Sequence, residues 1–135
     1  MTKRLRPFRR FLPDRRGAAV LEFALVAPVL FTMLLGIVVL GILFLAQAGL
    51  RSAVEDAARF ATIWPRPTQA QIEARITARR FGMDPANIVA PTITFNTTAS
   101  PNYVTITMGY NITINYVLGT KTIALTETRR AYVTS

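Results

Sequence analysis

The chain has 135 residues, of which 51% are hydrophobic, and it contains neither cysteine nor histidine. It therefore lacks the material for disulfides, thiolate metal sites or a histidine general base, and its few carboxylates are scattered, so composition argues against an enzyme and predicts no cofactor. The net charge of +9 would suit an anionic partner. Seven of the basic residues precede Gly17, however, so no specific nucleic-acid partner is expected.

A long uncharged apolar run follows this basic N-terminus. It extends from Phe23 to Leu50, and about 20 helical residues suffice to cross the hydrocarbon core of a bilayer. The run predicts one transmembrane helix at residues 23–50, with a kink at Pro28, because proline removes a backbone hydrogen bond. Since the arginines precede the run, the positive-inside rule predicts a cytoplasmic N-terminus and an outer C-terminal part.

The helical pattern continues beyond the apolar run. Apolar residues recur at spacings of three and four as far as Trp64, which predicts one helix from near Ala19 to Trp64, ended by Pro65 and Pro67. Four small residues would let another helix approach one face closely: Gly49, Ala53, Ala57 and Ala61. Alanine is also simply the best helix former, so both interpretations of this face stay open.

The remaining sequence predicts a short helix followed by strands. In "TQAQIEARITARRFG", Thr68 is a predicted N-cap with Gln71 as its capping-box partner, and Gly82 is the predicted stop. From Ile93 onward apolar and polar residues alternate, which predicts a three-stranded antiparallel meander. Turns are expected at residues 100–102 and 118–121, and Gly109 predicts a bulge in the long middle strand.

The predicted fold class is therefore α+β. A long N-terminal transmembrane helix extends beyond the membrane and leads into a small domain with one short helix and a roughly three-stranded antiparallel sheet. Three segments are expected: a basic leader at residues 1–17, the long helix at residues 18–64 and a small extracytoplasmic domain at residues 65–135.

The most specific pattern is "RRGAAVLEF", where the basic N-terminus meets the apolar run. Glu22 is the fifth residue after Gly17, although a carboxylate at the edge of a hydrophobic segment is costly. The pattern resembles the class III signal of type IV prepilins. The longer stretches "GAAVLEFALVAPVLF" and "LRSAVEDAARFAT" resemble the TadE-like minor pilin or pseudopilin family of the tight-adherence (Tad, type IVc) pilus system.

The resemblance implies that a prepilin peptidase cleaves after Gly17 and leaves Ala18 as the new N-terminus. Gly17 would let the catalytic carboxylates of the peptidase approach the scissile amide, while the arginines hold the leader at the membrane face. The carboxylate of Glu22 would then pair with the amine of Ala18 in its own or a neighbouring subunit. Phe23 stands where the short major pilins usually carry tyrosine, which favours a minor subunit. Glu22, Phe23 and Pro28 are the candidate assembly residues.

The implied function is assembly of a Tad pilus used in adhesion or secretion. The implied partners are the prepilin peptidase, other pilins and pseudopilins, the membrane, the Tad inner-membrane platform with its ATPase, and the secretin. The protein would be a single-pass inner-membrane protein with a periplasmic or extracellular C-terminal domain, and incorporation into the pilus stays open, as does the choice between TadE and its TadF and TadG relatives.

Several alternatives remain at this stage. The chain could be a permanent membrane anchor whose outer domain binds an envelope partner, or a secreted domain released after Ala48, although the apolar run is long for a signal peptide. The strand from Tyr103 to Leu118 could be an internal strand or an unpaired edge that accepts another strand. The paired arginines at residues 79–80 and 129–130 could touch DNA or phospholipid, or simply form a solvated face.

Overall fold

The first helix, α1, spans Arg15–Ala61 without interruption. The computed structural model describes the backbone of residues 15–116 and 119–133, and the side chains within those ranges from Gly17 onward; the rest of the predicted leader lies outside these residues. At its C-terminal end the amides of Thr62 and Ile63 donate to the carbonyls of Arg59 and Phe60 in a tighter turn. The helix therefore ends slightly before the predicted Trp64, ahead of the two prolines.

Residues of α1 belong to two compact units of the chain, which divide between Val38 and Val39. In the first unit the described residues form only helix, and its large apolar side chains are exposed. Among the described residues, Gly17–Ala61 is long and apolar enough to cross a membrane, and only 6% of its most apolar window is buried. This long apolar helix fits a single-pass membrane anchor.

The second unit contains the rest of α1, a short helix and a sheet. Helix α2 spans Gln69–Ala78, and the strands are β1 at Ile88–Asn96, β2 at Tyr103–Tyr116 and β3 at Gly119–Tyr132. The strands form an antiparallel sheet in the order β1-β2-β3. The predicted α+β class and three-stranded meander are confirmed, and β2 is the internal strand rather than an unpaired edge.

The core of this unit lies between the helices and one face of the sheet. Alternate residues of β2 are buried there because successive side chains of a strand point to opposite faces: Val104, Ile106, Met108, Tyr110 and Ile112. They join Leu50 and Val54 of α1 and Ile72 and Ile76 of α2 in one apolar cluster. The opposite face of β2 and β3 carries threonines, which pair across the strands at Thr107–Thr128 and Thr113–Thr122.

The capping box predicted for α2 is confirmed, but the predicted stop is wrong. The side chain of Thr68 accepts from the Gln71 amide at 3.3 Å, and the Gln71 side chain accepts from the Thr68 amide at 2.9 Å. The helix ends at Ala78, four residues before Gly82. Gly82 has a φ of 70° and lies in the following turn, where a Cβ would come within 3.0 Å of the Leu45 side chain.

Two further sheet predictions need correction. The irregular register lies in β1, where the two residues between Val89 and Thr92 are opposite the single residue Met108, so the extra residue belongs to β1 rather than to β2. A Cβ at Gly109 would come within 3.1 Å of the Val89 side chain, so the glycine leaves room for the bulged strand. Residues 119–121 of the turn expected at 118–121 belong to β3 instead, since Gly119 already pairs with Tyr116, and Leu118 lies outside the described residues.

Candidate processing and assembly site

The predicted cleavage site lies in the first turn of α1. The helix begins at Arg15, so Gly17 and Ala18 are already helical, and both are exposed. A Cβ built on Gly17 would meet none of the described atoms within 4 Å. Glycine in a helix costs roughly 0.5–1 kcal/mol relative to alanine, so Gly17 weakens the helix here without filling a tight contact. Its role in processing stays a prediction.

Glu22 follows Ala18 by four residues on the same face of α1. One helical turn separates them, about 6 Å along the axis, which brings the carboxylate within reach of an amine created at Ala18. Glu22 is exposed, and Phe23 beside it is 69% exposed. These side chains are therefore available to another subunit or to lipid, and their assembly role stays a prediction.

Pro28 lies inside α1, and the helix continues through it. The residue lacks an amide hydrogen, so the carbonyl one turn earlier loses its usual donor. One turn later the Thr32 hydroxyl donates to the Pro28 carbonyl at 2.7 Å, which gives a hydroxyl an internal acceptor in an apolar segment. The structure thus explains how Thr32 is tolerated here, and the kink stays a prediction.

The four small residues on α1 lie in the core of the chain's own second unit. Gly49 is buried, and a Cβ there would overlap the Phe81 carbonyl oxygen, so no larger residue fits without movement. Ala53, Ala57 and Ala61 are also buried. The stripe lets the chain's own backbone approach α1 closely, while its packing against another subunit stays a prediction.

A bidentate ion pair connects α1 to α2, and the sequence analysis missed it. Arg75 donates to the Asp56 carboxylate from Nε at 2.6 Å and from Nη2 at 3.3 Å, and Arg79 Nε lies 3.8 Å away. The hydrogen bond from Arg75 holds the pKa of Asp56 below its ordinary value; the charges of Arg75, Arg79 and Arg59 act in the same direction and burial opposes them. The two residues are 19 positions apart, so no local spacing could reveal the pair.

The two arginine pairs have different surroundings in the described structure. Arg129 contacts Glu127 at 2.8 Å on the helix-facing side of β3, whereas Arg130 stacks over the Tyr103 ring at 4.4 Å on the opposite side. Arg79 lies near Asp56, and Arg80 donates to the Thr77 hydroxyl at 2.9 Å. These contacts argue against the DNA or phospholipid interpretation for Arg79 and Arg80. Arg129 and Arg130 line one surface pocket with Arg51 and Arg59, so that interpretation stays open for the second pair.

The buried end of α1 also argues against a secreted domain released after Ala48. Ala46 is 1% exposed and Leu50 is fully buried in the same apolar cluster. Cleavage after Ala48 would cut the helix within the part that forms the core. The domain needs residues on both sides of that bond.

Comparison with known proteins gives one match. Residues 17–59, about a third of the chain, match the family model described as TadE-like protein. Neither the curated proteins nor the solved structures contain a match to this chain. The resemblance found in the sequence is confirmed over residues 17–59, which we call the TadE-like segment, and this segment associates the chain with Tad pilus systems.

Proposed function

We propose, from the TadE-like segment as premise, that this chain is a minor pilin or pseudopilin that is cleaved between Gly17 and Ala18 and helps to assemble a Tad pilus. Its role is structural and non-enzymatic: the helix is the part that packs into the pilus or its assembly complex, and the outer domain contacts partner pilins. The observation that carries the proposal is the environment of Gly17. This glycine is exposed at the edge of the TadE-like segment, no described atom lies within 4 Å of the Cβ position, and it weakens helix formation there.

The position of the bond within α1 suits proteolysis. Glycine has a low helix propensity, so the turn around Gly17 is easier to unwind than a turn made of alanine and leucine. A peptidase needs its substrate locally extended, and Gly17 lowers the cost of unwinding this turn. The glycine also leaves the scissile carbonyl free of a neighbouring side chain.

Cleavage would then create the charge that Glu22 requires. A carboxylate near a bilayer edge is costly without a partner, and the new Ala18 amine supplies a positive charge one turn away. The pair can form within one subunit or between two. Between two subunits, it fixes how far one helix is displaced along its neighbour.

The test is the N-terminal sequence and intact mass of the protein from membranes that contain its own prepilin peptidase. The wild type is expected to begin at Ala18. Gly17→Leu should remain full length, because the leucine side chain obstructs the scissile amide. Gly36→Leu is the matched control, since Gly36 is another open glycine on α1 and its variant should be processed normally.

Two results would overturn cleavage: a normal mature mass from Gly17→Leu, or a wild-type protein that begins at Met1. The second result would favour the permanent anchor whose outer domain binds an envelope partner. A start at Gly49 would instead show that the long helix acts as a signal peptide.

The pairing role of Glu22 is tested separately, with Glu22→Gln. This variant keeps the shape and removes the charge, so we expect normal cleavage but loss of crosslinking to partner pilins and loss of piliation. Glu55→Gln is the control, because Glu55 is a carboxylate on the same helix whose contact is a surface ion pair with Arg59. Normal assembly of Glu22→Gln would exclude the pairing role while leaving cleavage intact.

A further inference from the structure

The end of the β2–β3 hairpin lies beside the first turn of α1 in the second compact unit. A shallow notch of about 260 Å³ is lined by Val39 and Ile42 of α1 and by residues 112–115 of β2. The sheet therefore reaches helix residues that belong to the apolar run. The sequence alone had assigned those residues to the membrane.

Burial along α1 begins near this level but stays partial. Val39 is half-buried, and Ala46 and Leu50 are buried, but Leu40, Ile42 and Phe44 between them are 51–69% exposed. The residues from Gly17 to Val38 form about 33 Å of helix, which is enough to cross a hydrocarbon core of about 30 Å. The exposed apolar residues of α1 therefore continue beyond the length of one crossing and reach the helix residues beside the hairpin end.

The strand residues near the hairpin end are of the types that are common at membrane interfaces. Ile112, Ile114 and Tyr116 alternate on the face of β2 that is directed toward α1, and Tyr116 is 53% exposed. Lys121 lies opposite Ile114 in the register. Tyrosine is enriched at the headgroup level, and a lysine near an apolar surface can extend its ammonium group into water.

We propose that the end of this hairpin, with Ile114, Tyr116 and Lys121, lies in the interfacial region of the bilayer that α1 crosses. The occupant is lipid, because Leu40, Ile42 and Phe44, which belong to the same compact unit as the hairpin, are large apolar side chains that remain 51–69% exposed. The hairpin gives the outer domain a second membrane contact beside the helix. This inference rests on the membrane anchor in the proposed function but not on cleavage at Gly17.

The experiment measures tryptophan quenching by brominated lipid in vesicles that contain the full chain. Trp64 is the only tryptophan, so Trp64→Phe provides a silent background for Tyr116→Trp. We expect the new tryptophan to lose much of its emission when the lipid carries bromine near the headgroup end of the acyl chain. Wild-type Trp64 is the control for a distant site, since the helix from Ile42 to Ala61 is about 28 Å long, and its emission should not change.

A second variant separates failure of this inference from failure of the anchor. In the Trp64→Phe background, Phe31→Trp places the probe within residues 17–38, where lipid brominated deeper in the chain should quench it. Quenching at position 31 without quenching at position 116 would overturn the hairpin contact and leave the anchor standing. If neither probe is quenched, both proposals fail.

The same measurement tests whether a second copy of the chain, rather than lipid, contacts the hairpin end. If a second copy of the chain covers the hairpin end, the tryptophan at position 116 will resist brominated lipid and its emission will shift to the blue as the protein-to-lipid ratio rises. That result would overturn the lipid contact. Quenching that is independent of this ratio supports it.

Discussion

The two parts of α1, residues 17–38 and residues 39–61, are both helical and rich in apolar residues, yet they differ in what surrounds them. Before Val39 the large apolar side chains are exposed, with Phe23 at 69% and Leu34 at 56%. After Val39 one face is buried by the chain's own domain, with Leu50 and Val54 fully buried. The second part is apolar because one face packs in the chain's own core, whereas the exposed apolar surface of the first part fits a membrane anchor.

The side chains that face those surroundings also differ. Most buried positions in the second part are alanines, which let the rest of the domain approach the helix backbone closely: Ala46, Ala53, Ala57, Ala58 and Ala61. The first part instead presents large leucine, valine, isoleucine and phenylalanine side chains. Close packing needs small residues with few rotamers, whereas fluid lipid adapts to large ones.

The largest expected effect comes from two aspartate substitutions, one in the core that packs against the second part of α1 and one on the exposed first part. Met108→Asp buries a charge without a partner against the second part of α1, so it should cost more than about 4 kcal/mol and unfold the outer domain. Leu34→Asp should instead leave that domain folded and reduce membrane insertion. Circular dichroism in detergent and membrane fractionation measure the two effects, and a folded Met108→Asp domain would contradict the assignment of the core.

A smaller effect is expected when one glycine in each part of α1 is replaced by alanine. Gly49→Ala should destabilise the domain by about 1–3 kcal/mol, because the new methyl group overlaps the Phe81 carbonyl. Gly36→Ala should be neutral or slightly stabilising, because no described atom lies within 4 Å of the new Cβ. Thermal unfolding of the full chain in micelles gives both values, and equal melting temperatures would remove the close approach at Gly49.

The capping box of α2 is expected to stabilise the domain that packs against residues 39–61 of α1. Thr68→Ala removes the side chain that accepts from the Gln71 amide and should cost about 1 kcal/mol. Thr68→Ser keeps the hydroxyl oxygen and should recover most of the loss. Equal destabilisation by the two substitutions would show that the methyl group of Thr68, rather than its hydroxyl, matters.

The smallest expected effect comes from the ion pair between α1 and α2. The folded pKa of Asp56 is lowered, so its contribution is present above the ordinary aspartate pKa of about 4 and is lost as pH falls through the lower folded value. Both side chains are partly exposed, so the melting temperature should fall by no more than a few degrees. Asp56→Asn should abolish this part of the pH dependence, and an unchanged acid limb in the variant would exclude the pair as its cause.

The predictions that depended on local patterns were the most accurate. Alternation identified β2, and the spacing of Thr68 and Gln71 identified the start of α2, because both depend on residues that are neighbours in the chain. The end of α2, the site of the bulge and the pair of Asp56 with Arg75 depend on contacts between distant residues. Hydropathy alone also could not show that α1 changes its surroundings at Val39, since lipid and a protein core both favour apolar side chains.

The candidate site shows the same division. Gly17, Ala18 and Glu22 were predicted from one short motif; the structure gives their places on α1, and their roles stay predictions. The contact between the hairpin end and Val39 requires the register of β2 on β3 and the packing of the sheet on α1. The sequence did contain one signal for this contact. Residues 112, 114 and 116–118 are apolar or aromatic and lie next to a reversal of the chain, where polar residues are usual.

The continuity of α1 has a mechanical consequence. A force applied along α1 acts together on the residues from Ala46 to Ala61, because their buried side chains are spread over several turns of one helix. The load is then shared by many contacts sliding at once, rather than concentrated on one contact after another. The attachment of the outer domain to its helix therefore does not depend on any single residue.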